Sequence, residues 1–126
     1  MSKKRLLIVD DDSRNIFALT HTLRVKSYDC LSCTSAEEAL KLLKSDEEID
    51  AVLLDMMMPN MDGYETAEKI RSNPKFLNLA VIAVTAKAMT GDREKCIKAG
   101  ASDYITKPVD VDQLLSLLRV WLYDKI

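Results

Sequence analysis

The sequence contains few of the residues that mark disordered, fibrous or disulfide-rich proteins. Of its 126 residues only 3 are glycine, 3 are proline and 3 are cysteine, and aromatic residues make up 6%. Collagen-like and low-complexity chains are instead rich in glycine and proline. Because 48% of the residues are hydrophobic and 30% are charged, the composition is typical of a globular protein, and the length predicts a single domain over residues 1–126.

The three cysteines do not form the pattern of a disulfide framework. Their number is odd and no export signal precedes them, which predicts reduced thiols. Cys30 and Cys33 form a C-x-x-C motif, but they lie in a strand-like stretch, where residues i and i+3 point to opposite faces of a sheet. Cys96 and His21 lack the spacing that would complete a zinc site. We therefore assign no function to the cysteines.

Long hydrophobic runs and clusters of basic residues are also missing. The apolar runs are far shorter than the ~18 residues of a membrane span, and the N-terminus shows no signal peptide. The net charge is −2 and the lysines and arginines are scattered, which argues against binding to nucleic acid or to a membrane surface. We expect a cytoplasmic protein with neither of these partners.

Short apolar runs alternate with longer segments of helical periodicity. Strands that are separated by helices form a parallel sheet through right-handed crossovers, with helices on both faces. Burial on both faces explains why LLIV and AVLL are apolar at every position. The pattern predicts a doubly wound α/β fold. Its predicted strands are 6–9, 29–33, 51–54, 80–84 and 102–106, and its predicted helices are 13–26, 35–45, 61–72, 89–100 and 110–126.

Polar residues follow the predicted strands at the edge where ligands bind in such sheets. Three acids, Asp10 to Asp12, follow the first strand, Asp55 follows the third, Thr85 and Ala86 follow the fourth, and Lys107 follows the fifth. Adjacent acids repel one another and partial burial raises the cost of their charge, so a cation is expected. Carboxylate oxygens are the ligands that Mg²⁺ prefers.

The same edge predicts phosphoryl chemistry without a bound nucleotide. Lysine and threonine donate hydrogen bonds to phosphoryl oxygens, and attack by Asp55 would give an aspartyl phosphate. The sequence contains neither G-x-x-x-x-G-K-[ST] nor G-x-G-x-x-G, the loops that cradle nucleotide phosphates. The phosphate is therefore expected from a protein-borne or small-molecule donor.

Several other polar residues have structural explanations. Asp12 is predicted to cap the first helix, and Asp62-Gly63 to begin the third, because Met57 breaks the spacing of a calcium loop. His21 is predicted to lie at the surface of the first helix. On the last helix, Leu117, Val120 and Trp121 form a second apolar flank, which would serve a dimer or partner contact or pack sideways on the fourth helix.

Four motifs in order resemble the receiver domains of two-component response regulators, which take phosphate from a histidine kinase. They are LLIVDDDSRN, VLLDMMMPNMDG, VTAKA and ASDYITKPV, and they extend from residue 6 to residue 109. The resemblance implies a flavodoxin-like fold with strand order 2-1-3-4-5 and a cis peptide bond before Pro108. It also implies that this chain is a phosphoacceptor signalling domain rather than an enzyme, although it assists its own phosphorylation and dephosphorylation.

The resemblance implies a role for each matching residue. Asp55 is the expected phosphoacceptor, and Mg²⁺, with Mn²⁺ as a substitute, is expected on Asp55, on Asp11 directly, on Asp10 through water and on the backbone carbonyl of Met57. Lys107 is expected to pair with Asp55 or its phosphate.

The remaining expected roles concern the response to phosphate. Thr85 is expected to bind a phosphoryl oxygen, and Ala86 and Lys87 to lie near the phosphate, where Lys87 and Met57 tune its lifetime. Tyr104 is the expected aromatic switch, which reshapes the surface of the fourth helix, fifth strand and fifth helix. The implied partners are a histidine kinase or phosphotransfer domain and, through that surface, a downstream protein or a second copy of the chain.

Two alternatives remain open at this point. A phosphatase of the haloacid-dehalogenase type shares the Asp10-x-Asp12, threonine and lysine motifs, although a convincing second acidic pair and a cap are missing. The second alternative is a receiver domain that binds partners without being phosphorylated. We expect no output domain after the last helix, so the chain acts through a partner or is one domain of a larger hybrid kinase or regulator.

Overall fold

A computed structural model of the chain describes residues 3–45, 47–58, 62–86 and 91–123. Five strands alternate with five α-helices, as predicted, and one short 3₁₀ helix that the sequence did not predict lies at Pro74–Phe76. No helix in these ranges is long and apolar enough to cross a membrane. The elements are β1 Arg5–Val9, α1 Ser13–Val25, β2 Asp29–Cys33, α2 Ala36–Lys44, β3 Ala51–Asp55, α3 Gly63–Arg71, β4 Ala80–Thr85, α4 Asp92–Ala99, β5 Asp103–Thr106 and α5 Val111–Leu122.

The five strands form one parallel sheet in the order β2-β1-β3-β4-β5, which confirms the predicted order. The register places Val9 beside Leu54, Asp55 beside Val84 and Thr85 beside Thr106. The carboxyl ends of β1, β3, β4 and β5 therefore meet at one edge of the sheet. This edge is where the sequence predicted the functional site.

Two hydrophobic cores cover the two faces of the sheet. The first packs side chains such as Leu7 and Leu54 against α2, α3 and α4, and the second packs side chains such as Leu6 and Leu53 against α1 and α5. Alternate residues of β1 and β3 enter opposite cores, which is why both strands are apolar throughout. The fold thus has three layers with the sheet in the middle.

Capping residues define where four helices begin. The side chains of Asp12, Ser35, Asp62 and Asp110 each accept a hydrogen bond from a backbone amide in the first turn of α1, α2, α3 and α5. Asp12 was predicted as a cap and Asp62 as the start of the third helix, and each of the four caps stabilises its helix by about 1 kcal/mol. The helix predicted from residue 61 therefore starts at Gly63, after its cap.

Two of the three residues of the second apolar flank of α5 pack against the second core, rather than sideways on the fourth helix, which was one of the two alternatives left open. Trp121 is partly buried in the second core, and its indole Nε1 donates a hydrogen bond to Asp103 Oδ2 at 3.3 Å. Leu117 also packs against that core, whereas Val120 is exposed. Val120 is the exposed residue of this flank, while Leu117 and Trp121 are partly buried.

Candidate functional site

Three carboxylates converge where β1 and β3 end. Asp10 and Asp11 follow β1, Asp55 is the last residue of β3, and one carboxylate oxygen from each lies within 4.8 Å of the others. Asp10 and Asp55 are 4% and 3% exposed, whereas Asp11 is exposed. The cluster forms because β1 and β3 are neighbours in the sheet although 45 residues of sequence separate the two buried acids.

Backbone amides fix the orientation of both buried carboxylates. Asp10 Oδ1 accepts a hydrogen bond from the amide of Asp12 at 2.9 Å, and Asp55 Oδ1 accepts one from the amide of Met57 at 3.0 Å. These bonds occupy one oxygen of each carboxylate. The other oxygen of each acid faces Lys107.

Lys107 supplies the ammonium group of the site. Its Nζ lies 3.4 Å from Asp55 Oδ2 and 3.7 Å from Asp10 Oδ2, and its side chain is 29% exposed. The amide of Lys107 donates to the carbonyl of Thr85 at 2.7 Å, which ties the end of β5 to the end of β4. The Lys107-Pro108 peptide bond is cis, as the resemblance implied.

The acids outnumber the positive charge beside them. Burial is the main cause that raises the pKa of Asp10, and the nearby charge of Asp55 adds to it, while the Asp12 amide and Lys107 act in the opposite direction. Two carboxylates share one lysine, and Asp11 adds a third negative charge. A bound cation would offset this excess of negative charge, and three clustered oxygen donors fit a hard divalent ion such as Mg²⁺.

Thr85 and Tyr104 lie on the strands that border the acids. Thr85 is the last residue of β4 and is buried, and Ala86 beyond it is exposed. Tyr104 pairs with Ala83 in the sheet and is partly buried against the first core. Lys87 and residues 59–61, the last of which was predicted to begin the third helix, lie outside the described residues.

A cavity of about 480 Å³ extends from the acids between α1 and α5. Its polar wall includes Asp10, Asp55 and Lys107, and most of the remaining wall is apolar. Asn15 also lines it, with Nδ2 at 3.5 Å from Asp10 Oδ2. Sequence reasoning missed Asn15; its position in the first turn of α1, facing back toward the strand end, was the available signal.

The structural explanations given for other polar residues are confirmed. Asp12 and Asp62 act as helix caps, and His21 is exposed on α1.

Cys30 and Cys33 are free thiols that enter opposite cores, and burial raises the pKa of Cys33 to about 11. Among the described residues, the cluster of Asp10, Asp11 and Asp55 is the one group of acids, histidines and cysteines arranged to hold a metal.

Comparison with known proteins connects this site to one family. Residues 6–119 match the family model of the response regulator receiver domain. The chain is 36% identical over 115 residues to the sensor histidine kinase CheAY of Helicobacter pylori and 35% identical over 115 residues to the response regulator PleD of Caulobacter vibrioides. These matches cover 90% and 91% of this chain but only 14% and 25% of those longer proteins.

Two solved structures are similar over at least 90% of each chain. The receiver domain of the sensor histidine kinase PA1611 from Pseudomonas aeruginosa, which has magnesium coordinated in its active site cleft, is 31% identical with a TM-score of 0.86, and the match covers 95% of this chain and 98% of that one. A co-crystal structure of the Saccharomyces cerevisiae phosphotransfer protein Ypd1 with the receiver domain of Ssk1 matches at 26% identity and a TM-score of 0.87, over 96% and 90% of the chains.

Proposed function

Because the chain belongs to the family of response regulator receiver domains of two-component systems, we propose that Asp55 accepts a phosphoryl group from a phosphohistidine. Receiver domains are regulatory phosphoacceptor domains, and the family match gives no support to the phosphatase alternative. The observation that carries the proposal is a buried Asp55 that lies 3.4 Å from Lys107 and beside two further acids. We assign this role to residues 1–126 as one receiver domain.

The reaction is a transfer from nitrogen to oxygen. A carboxylate oxygen of Asp55 attacks phosphorus, the P–N bond of the phosphohistidine breaks, and the imidazole nitrogen leaves with the electron pair. The product is an acyl phosphate on Asp55. The hydrogen bond from the amide of Met57 holds the carboxylate in place for this attack.

Electrostatic repulsion is the main obstacle to this step. A carboxylate and a phosphoryl oxyanion 4 Å apart repel each other by about 4 kcal/mol at an effective dielectric constant near 20. Lys107 offsets about one such interaction. Mg²⁺, or Mn²⁺ in its place, would be held by Asp11 and Asp55, by Asp10 through water and by the carbonyl of Met57, and it would supply further positive charge for the phosphoryl oxygens. The clustered carboxylate oxygens and the magnesium-containing relative support this assignment.

Phosphorylation is then read at the surface of α4, β5 and α5. Lys107 pairs with the phosphoryl group, the hydroxyl of Thr85 donates to a phosphoryl oxygen, and Ala86 lies next to it. Tyr104 turns inward as Thr85 moves. Its partial burial at the edge of the first core supports this role. The phosphate needs to bias two existing arrangements by only a few kcal/mol.

The phosphoryl donor is a histidine kinase or a histidine phosphotransfer protein that covers the opening of the site. The Ypd1–Ssk1 complex supports a donor of this kind. On α1, Phe17 is 77% accessible, and the helix contains Arg14 and Arg24 but no acidic residue. A partner helix with an apolar face and an acidic rim complements this surface. The downstream target, or a second copy of the chain, binds through α4, β5 and α5, where Val120 is exposed.

Water reverses the modification by attacking the acyl phosphate, so the signal decays without a separate phosphatase. Met57, whose side chain is half exposed beside Asp55, and Lys87 tune the rate of this hydrolysis. The reduced thiols support action in the cytoplasm.

Intact-mass measurement after incubation with acetyl phosphate and Mg²⁺ tests the proposal. We expect one added phosphoryl group on Asp55, its loss in the Asp55→Asn variant and its loss when EDTA removes the metal. Phosphate on another residue, or none on the wild type, contradicts the proposal. Steady turnover of a phosphomonoester would favour the phosphatase instead.

A further inference from the structure

The sheet has two open edges, because β2 and β5 each have a neighbouring strand on one side only. In a parallel pair of strands, alternate residues bond to the neighbour, and the residues between them direct their amides and carbonyls outward. A row of such outward groups is a template on which another chain can add a strand. The way in which these groups are occupied therefore bears on association between copies of the chain.

The register identifies the outward residues of β2. The amide of Asp29 donates to the carbonyl of Lys4 at 2.9 Å, so Asp29 and every second residue after it bond to β1. The backbone groups of Cys30 and Ser32 therefore face outward. These two residues are all that β2 offers to a further strand.

Side chains of the same chain occupy both outward groups of Cys30. Its amide donates to Asp29 Oδ1 at 3.0 Å, and its carbonyl accepts from Arg24 Nη2 at 3.3 Å. Arg5 Nε donates to Asp29 Oδ2 at 2.8 Å, which fixes the orientation of this carboxylate. The first outward position of β2 is thus closed to another strand.

The other edge of the sheet repeats this arrangement. The amide of Lys107 donates to the carbonyl of the last residue of β4 at 2.7 Å, so Tyr104, three positions earlier, faces away from β4. The amide of Tyr104 donates to Asp103 Oδ1 at 2.9 Å, and Trp121 Nε1 donates to Asp103 Oδ2 at 3.3 Å. Both edge strands therefore begin with an aspartate that binds the first outward amide through one oxygen and is held by another side chain through the second.

We propose that Asp29 and Asp103 guard the two edges of the sheet against strand pairing with a second copy of the chain. β2 and β5 each have two outward residues, and the aspartate occupies the amide of the first. A second copy would have to break this bond or pair with a single remaining residue, Ser32 or Thr106. This role is independent of phosphoryl transfer to Asp55.

Backbone amide hydrogen exchange tests the two bonds. After correction for intrinsic rates, the amide of Cys30 in the wild type should exchange more slowly than that of Ser32, because Ser32 follows a leucine, which has no side-chain oxygen to accept a bond. Asp29→Ala should accelerate exchange at Cys30 about fivefold, the effect of one ordinary hydrogen bond, and leave Tyr104 unchanged. Asp103→Ala should do the reverse. A Cys30 amide that exchanges as fast as that of Ser32 in the wild type overturns the inference without any variant.

Sedimentation velocity over a concentration series, in EDTA and without a phosphoryl donor, tests the consequence. Asp29→Ala and Asp103→Ala should each lower the concentration at which the chain self-associates about fivefold, because each frees one amide for a bond between copies. Asp29→Asn and Asp103→Asn keep an oxygen that accepts from the amide, so they should associate like the wild type. Asparagine variants that associate like the alanine variants would make lost charge the cause and overturn the inference.

Asp50→Ala is the matched control for lost charge and lost stability. Asp50 Oδ2 accepts from the amide of Arg5 at 2.7 Å, but Arg5 lies on β1, an interior strand. This variant should therefore associate like the wild type even where urea unfolding shows it to be less stable. Equal association of Asp50→Ala and the edge variants, or no increase in either edge variant, overturns the inference and leaves the proposed function untouched.

Discussion

Replacing Asp10 with asparagine should stabilise the metal-free protein at neutral pH. The substitution removes an attraction between Asp10 and Lys107 at 3.7 Å and a repulsion between Asp10 and Asp55 within 4.8 Å. Each of these interactions amounts to about 4 kcal/mol at an effective dielectric constant near 20, so the two contributions nearly cancel. The desolvation of a carboxylate that is 4% exposed remains and amounts to several kcal/mol. Asparagine keeps an acceptor for the Asp12 amide. We expect a net gain of about 1 to 3 kcal/mol, or roughly 4 °C in Tm per kcal/mol.

The pH dependence has a defined sign. The pKa of Asp10 is raised above its ordinary value of 3.8, so the folded state binds this proton more tightly than the unfolded state. The stability that the protonated acid contributes is fully present below pH 3.8, and it is lost as the pH rises from 3.8 through the folded-state pKa. Asparagine does not ionise, so the Asp10→Asn variant keeps its stability as the pH rises. The difference in free energy of unfolding between the variant and the wild type should therefore grow through that pH window and persist at pH 7.

Urea unfolding in EDTA over a pH series measures this effect. Asp12→Asn is the matched control, because asparagine caps a helix as well as aspartate does and position 12 is not buried. Saturating Mg²⁺ should reverse the order, since the wild type gains binding energy that Asp10→Asn partly loses. A variant that is less stable than the wild type in EDTA at pH 7 would show that Lys107 outweighs burial, and it would refute the reasoning.

Four further predictions concern neighbouring residues. Asp11→Asn should lower Mg²⁺ affinity and the rate of phosphorylation by acetyl phosphate at least about tenfold, and unchanged values in calorimetry and mass spectrometry would refute its role as a metal ligand. Asp12→Ala should cost about 1 kcal/mol in urea unfolding through the lost cap and leave Mg²⁺ affinity unchanged; a loss of affinity would make Asp12 a ligand. Gly63→Ala should destabilise by about 2 kcal/mol or more, because its methyl group meets the backbone of Met56, and wild-type stability would disprove that tight contact. Tyr104→Ala should leave phosphorylation of Asp55 intact and weaken partner binding, and a normal partner response in a binding assay would exclude it as the switch.

Local signals in the sequence were sufficient for the helices and strands. Asp12, Ser35, Asp62 and Asp110 each precede an amphipathic segment, and each caps the predicted helix because capping involves only residues two or three positions apart. The 3₁₀ helix at Pro74–Phe76 was not predicted, since three residues provide too little periodicity. The packing of Trp121 on β5 was not predicted either, because helical spacing shows that a second face is apolar but not what covers it.

Much of the candidate site was also predictable, because strand ends in a parallel sheet meet at one edge. The acids, Thr85 and Lys107 were located by this rule before any distance was known. Asn15 was missed because its one signal, a position in the first turn of α1, belongs to no metal-binding or catalytic motif.

The sequence by itself determined the order of elements, the helix caps, the residues at the strand ends and the family. Only the tertiary structure decided the contacts across the sheet: that Lys107 lies between Asp10 and Asp55 and that both acids are buried. The physical reason is one of range. Periodicity and capping act over a few residues of chain, whereas charge pairing and desolvation depend on distances in space between segments that the sequence places far apart.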